Sequence, residues 1–210
     1  MVVIGHSMGG SISRLLITDT GDKMWMEVFG KPPEKVAMSA ESRKMFSDAI
    51  IFKHRPEVGR VIFISAPLRG SDLATNWVGR IGSSLVKSPV TLLKAGSEAL
   101  QVATFQGGDL KLKRVPNSVD TLSPKNRFVK AINRIQITPG IPHHVISGDR
   151  GKGGNKDQTK PVMSDGVVPY WSSHMDTAVS ELVVPSHHSA HQNPEAIAEV
   201  QRILKVHAQQ

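Results

Sequence analysis

Val2-Val3-Ile4-Gly5-His6-Ser7-Met8-Gly9-Gly10 is the stretch that decides how this chain reads. Three β-branched residues in a row suit the end of a buried strand. Ser11-Ile12-Ser13-Arg14-Leu15-Leu16-Ile17 follows, with Ile12, Leu15 and Leu16 at helical spacing. Between strand and helix lies G-x-S-x-G, Gly5 to Gly9. A serine on so tight a strand-to-helix turn has the setting of a nucleophile elbow. The turn lifts the Ser7 hydroxyl above the sheet on a strained backbone. Gly5 and Gly9 are expected to be small because strand and helix nearly touch there. The helix N-terminus favours developing negative charge. The backbone N–H of Met8, the residue after the serine, becomes the candidate oxyanion donor.

Further along, Ser39–Phe52 suits a helix with Met45, Phe46 and Ala49 on one face. Arg60-Val61-Ile62-Phe63-Ile64-Ser65 reads as a buried strand. A long region, Asp72 to Ile141, then separates two strands. Its apolar residues suggest two or three amphipathic helices interrupted by Gly79, Gly82, Pro89 and Gly96. Another helix is expected within Ser118–Asn133, with Phe128, Val129 and Ile132 apolar. His143–Gly148 reads as the next strand. The loop Asp149–Lys160 is rich in Gly and Lys but lacks the G-x-x-x-x-G-K-[ST] spacing of a phosphate loop, so it reads as a mobile loop and not a nucleotide site. Glu181–Pro185 reads as the last strand. The final helix is expected to start at Asn193 as N-cap with Pro194 and Glu195 in its first turn, burying Ile197, Val200, Ile203 and Leu204.

A nucleophilic serine needs a base and a group to orient it. Asp165, in Ser164-Asp165-Gly166-Val167-Val168-Pro169, is a carboxylate on a loop soon after a strand, with apolar neighbours to anchor it. Asp149, at the strand end itself, is the alternative. His187, His188 and His191 crowd together between the last strand and the last helix and are candidates for the base. His143 and His144 read as a strand end without chemistry. His6 reads as packing near the site, and His54 and His174 have no context that singles them out.

V-V-I-G-H-S-M-G-G resembles the elbow of the α/β-hydrolase lipases and esterases. The resemblance implies a mainly parallel sheet flanked by helices and a Ser–Asp/Glu–His triad in that chain order. D-G-V-V-P resembles the acid-bearing loop of these enzymes, which favours Asp165. Related sequences carry G-H-x-x-H before the last helix with the first His catalytic. His188 and His191 match that pair, His187 replaces the glycine, and His188 is preferred. Pro67-Leu68-Arg69-Gly70-Ser71 is similar to a P-H-R-G-S run of related lipases, with Leu68 in place of the His; Arg69 and Ser71 are read as a structural turn. Insertions at strand ends of this fold commonly form a lid, which makes 72–141 a candidate helical lid and acyl-binding wall, with surface packing helices as the alternative.

The resemblance places the elbow strand fifth of eight, so residues 1–210 would form one partial α/β-hydrolase domain. The second oxyanion donor would come from a loop after the third strand. Losing one donor costs on the order of 10²–10³ in turnover, and an uncovered strand edge invites aggregation. The expectation is a fragment, poorly soluble and nearly inactive alone.

Composition bounds the alternatives. At 210 residues, 39% hydrophobic and 21% charged, the chain is ordinary globular material. No apolar run approaches the ~18 residues of a membrane helix. The absence of Cys excludes disulfides, thiolate metal sites and cysteine nucleophiles. The three clustered His lack a carboxylate at ligand spacing, so neither metal nor cofactor is expected. The net charge of +8 is carried by 111–160, which holds 11 Lys and Arg against 3 Asp and Glu. Aromatics are sparse there, which argues for a solvated surface and against nucleic acid. Contact with anionic lipid headgroups or acidic substrates is a further reading. The expected function is hydrolysis of carboxylic esters, with ester or lipid as substrate. The alternatives are an acyltransferase or thioesterase with the same triad, or a non-catalytic basic binding module. Compartment and oligomeric state are not legible, since any signal peptide would lie upstream.

Overall fold

The fold is built from short parallel strands joined by helices. The computed structural model describes residues 1–72, 123–153 and 160–209. The strands are β1 (Val2–His6), β2 (Arg60–Ile64), β3 (His143–Asp149) and β4 (Ser180–Pro185). They pair in parallel in the order β1-β2-β3-β4, with Val3 opposite Val61, Phe63 opposite Val145 and Ile146 opposite Leu182. The helices are α1 (Met8–Leu15), α2 (Gly21–Phe29), α3 (Ala40–Ile50), α4 (Arg127–Arg134), α5 (Tyr170–Ser173) and α6 (Pro194–Ala208). This is the α/β class expected: a parallel sheet with flanking helices. Among the described residues no helix is long and apolar enough to cross a membrane.

Strand side chains alternate between two apolar layers. Val61, Phe63 and Val145 pack with Ile17, Val58, Ala66 and Leu68 on one side. Ile62, Ile64, Ile146 and Val184 pack with Ala190, Ala196 and Ile203 on the other, under α6. A third cluster joins α2, α3 and α4 through Met24, Trp25, Val36, Ile50, Ala131, Ile132 and Ile135. Arg14, buried on α1, ties this cluster to the sheet layer. Its guanidinium donates to Asn133 Oδ1 (2.6 Å), Ile132 O (2.9 Å) and Ile135 O (3.3 Å), at the C-terminal end of α4, where the helix dipole favours a cation. Burial, with Arg69 nearby, brings its pKa down to about 10.

Several sequence expectations need correction. Among the described residues β1 and β4 are the edges of the sheet, and Ile4 on β1 is 47% exposed, so β1 is not buried; β2, between two neighbours, is buried throughout. α1 buries Gly10, Ser13 and Arg14 and leaves Ile12 exposed, because glycine and serine permit a closer approach to the sheet than the apolar residues do. α3 turns Ser42 and Ile50 inward with Phe46 against the α2 cluster, while Ala49 is exposed. α6 buries Ala196 and Ile203 with Val200, and Ile197 and Leu204 are exposed. Its cap is as expected: Asn193 Oδ1 accepts from Glu195 N (2.8 Å) and Ala196 N (3.4 Å). Residues 73–122 of the expected lid and 154–159 of the Gly/Lys loop lie outside the described residues.

Candidate active site

The turn between β1 and α1 sets Ser7 at φ 55°, ψ −129°, a left-handed conformation that a non-glycine residue adopts only under constraint. The constraint comes from both sides. Ser7 N–H donates to Ile64 O at the end of β2 (3.0 Å), and Gly10 N–H donates to Ser7 O (2.9 Å). A Cβ on Gly5 would lie 2.6 Å from Gly10 Cα, and one on Gly10 would lie 2.4 Å from Ala66 Cβ. Gly9 has nothing within 4 Å of a Cβ position. The crowded glycines are therefore Gly5 and Gly10, and the expectation for Gly9 is corrected. Ser65, directly after β2, is also at positive φ (46°), with its N–H on Ile146 O (2.8 Å). Sequence reasoning gave no sign of this second strained serine beside the turn.

The loops after β3 and β4 bring the other two groups to Ser7. His188 Nε2 is 2.8 Å from Ser7 Oγ, and His188 Nδ1 is 2.9 Å from Asp165 Oδ2. The Asp165 side chain is almost wholly buried and that of His188 largely so. Asp165 Oδ1 accepts from Val167 N (2.8 Å) and Val168 N (2.6 Å), so the carboxylate is fixed by its own loop before it meets the imidazole. With Nδ1–H donating to the carboxylate, Nε2 presents its lone pair to the Ser7 hydroxyl. Ser7, Asp165 and His188, three residues far apart in the chain, thus meet in one line of hydrogen bonds.

The alternatives point elsewhere. Asp149 Oδ1 accepts from Gly151 N (2.9 Å) and Ser164 N (3.4 Å), shaping its own loop. His187 is exposed, and its carbonyl, with Ser186 O, packs over Gly148. His191 lays its ring against His6, centroids 4.3 Å apart. His6 also faces His188, centroids 5.0 Å apart, and its Nε2 is 2.8 Å from His188 O. Burial lowers the His6 pKa; the bond to the His188 carbonyl opposes this, and the neighbouring imidazoles reinforce it.

Arg69 and Ser71 are framework, as read from the sequence. Arg69 Nη1 donates to Trp171 O (2.9 Å) and Ser71 Oγ to Val167 O (2.5 Å), fastening the turn after β2 to the Asp165 loop. The remaining histidines have partners that sequence inspection did not foresee. His54 bonds Asp19, holding that carboxyl at about 2. His174 sits between Glu181 and Asp176. His144 lies between Arg60 and Ser180 (2.8 and 2.7 Å), and burial with Arg60 lowers it to about 4. Among the described residues no group of three His, Cys, Asp or Glu is arranged to hold a metal ion.

No family model matches the chain, and no curated protein matches it. Among solved structures it is similar to the mature form of Bacillus licheniformis lipase BlEst2, at 15% identity and a TM-score of 0.48, over 97% of this chain and 65% of the lipase. It is also similar to the Vlm2 thioesterase domain bound with a dodecadepsipeptide, at 15% identity and a TM-score of 0.31, over 98% of this chain and 65% of that one. The chain therefore spans just under two thirds of the length of either neighbour.

Proposed function

We propose that this chain is a serine hydrolase that cleaves carboxylic esters through an acyl-enzyme on Ser7. The observation that carries this reading is the pair of hydrogen bonds running Ser7 Oγ, His188 Nε2, His188 Nδ1, Asp165 Oδ2. Ser7 Oγ attacks the ester carbonyl carbon while His188 Nε2 takes its proton. The imidazolium that forms is stabilised by Asp165, which stays ionised and keeps the ring in the productive tautomer. When the tetrahedral adduct collapses, His188 returns the proton to the departing alcohol. Water, activated by the same imidazole, then releases the acid and restores Ser7.

Met8 N–H is assigned to the developing oxyanion. It stands in the first turn of α1, where an amide has no intrahelical acceptor, and the helix dipole favours negative charge there. Met8 and Ile12, one turn apart on α1, are 40% and 54% exposed. They offer apolar surface beside the nucleophile and favour an ester with an apolar acyl or alcohol part.

The deciding experiment is reaction with an alkyl fluorophosphonate, together with hydrolysis of a p-nitrophenyl ester. Labelling should map to Ser7 and vanish in Ser7→Ala. A folded wild-type chain whose Ser7 takes no label refutes the proposal, since the label reports the nucleophile even where ester turnover is slow.

A further inference from the structure

His6 occupies the position just before the nucleophile, yet its hydrogen bond goes to the base. Its Nε2 lies 2.8 Å from the carbonyl oxygen of His188, across 182 residues of sequence. A carbonyl only accepts, so Nε2 carries the proton and His6 is the donor. The ring is partly buried, with His188 on one side and the exposed His191 on the other.

We propose that His6 is a positioning residue, one that fixes the backbone of the base His188 to the strand that carries the nucleophile. This rests on the hydrolase reading above. Asp165 can orient the His188 ring through Nδ1, but it sets neither the height nor the lateral place of the loop from which that ring hangs. That loop spans the gap between β4 and α6 and is stitched largely to its own side, through Ser186 N on Asp149 O (3.0 Å) and Asn193 Nδ2 on Pro185 O (3.2 Å). The His6 bond runs instead to β1. It joins base and nucleophile through one side chain and one peptide unit, so a displacement of β1 carries His188 with Ser7.

The residue type suits the task. A lysine or arginine would place a permanent charge against an imidazole that becomes cationic during the reaction. A neutral histidine donates one proton without that repulsion, and burial lowers the His6 pKa, which works against the charged ring. The amide of glutamine reaches about as far as Nε2, whereas that of asparagine stops near Nδ1, and phenylalanine keeps the ring without a donor.

The test uses the full 210-residue chain and His6→Gln, His6→Asn and His6→Phe, reacted with an alkyl fluorophosphonate over a range of concentrations. In that reaction Ser7 Oγ bonds phosphorus, fluoride leaves, and the hydroxyl proton passes to His188. The expected result for His6→Phe and His6→Asn is a saturating rate about 10²-fold lower, a half-saturating concentration within about 3-fold of wild type, and His6→Gln within about 5-fold of wild type in rate. Melting temperatures report whether each variant is folded, and if His6→Phe does not fold, the Gln and Asn pair decides. A wild type that labels while all folded variants label equally fast overturns the inference and leaves the hydrolase reading standing. A folded His6→Gln as slow as the other two overturns it as well, since ring packing and not the donor would then set the base. A wild type that takes no label overturns both.

Discussion

Gly148 lies directly beneath Asp165: a Cβ on Gly148 would stand 3.0 Å from the Asp165 Cβ and 2.9 Å from Ser186 O, with His187 O also at 3.0 Å. The acid loop and the base loop therefore close over a position that only glycine leaves empty. Gly148→Ala should force the two loops apart, at a cost of about 1–3 kcal/mol from overpacking. Ester turnover should fall further than stability alone explains, because a misplacement near 1 Å can cost about 10²-fold. Parallel measurement of urea midpoints and Ser7 labelling rates separates the two effects.

Asp165→Asn should cost about 10⁴-fold in kcat while the chain stays folded. The two backbone N–H groups on Oδ1 would hold the amide oxygen, which turns the amide NH₂ towards His188 Nδ1. Nδ1 must then accept, so the proton moves to Nε2 and faces the Ser7 hydroxyl. Circular dichroism and p-nitrophenyl ester turnover together check this, and near-normal turnover would remove Asp165 from the reaction.

The two glycines after Met8 should respond in opposite ways. Gly9→Ala should be neutral or stabilising by up to about 1 kcal/mol, since the site is helical with open space around it. Gly10→Ala should destabilise by about 1–3 kcal/mol, because its Cβ collides with Ala66. Thermal melts of the two variants test the contrast.

Stability should fall as pH drops from 6.5 towards 4. Burial holds His144 at about 4 against an ordinary 6.5, and it lowers His143 and His6 as well. In that window the unfolded chain binds protons at these sites and the folded chain does not, so acid favours unfolding; above 6.5 their stabilisation is complete. His174 has the opposite sign. Burial works against its charged form, but its bonds to Glu181 and Asp176 outweigh that, and its contribution is lost as pH rises through its raised value. Three lowered groups against one raised group make the urea midpoint lower at pH 4.5 than at pH 7. An unchanged or higher midpoint at pH 4.5 contradicts the assignment.

The sequence carried the site further than it carried the packing. G-x-S-x-G between a β-branched run and a helix is a local pattern, and strain at Ser7 is the local consequence. Loop position alone left Asp149, His187 and His191 open beside Asp165 and His188; the preference for the latter two came from the resemblance of D-G-V-V-P and of the His188/His191 pair to the loops of α/β-hydrolase lipases. The buried faces of α3 and α6 were legible only in part, because apolar periodicity does not reveal which neighbour lies close. On α1 the close approach selects Gly10 and Ser13 over Ile12. The roles of Gly148, Ser65 and Arg14 depend on contacts between segments distant in the chain, which no window of sequence displays.

Two of the three groups hang from the margins of the sheet. Among the described residues Asp165 follows the inner strand β3, while Ser7 and His188 follow β1 and β4, each paired with one neighbour. Outer strands fray at lower free energy than inner ones. Under gentle warming or dilute urea, chemical competence should fade while the bulk of the architecture endures, and the hydroxyl would fall silent before the spectrum registers any melting.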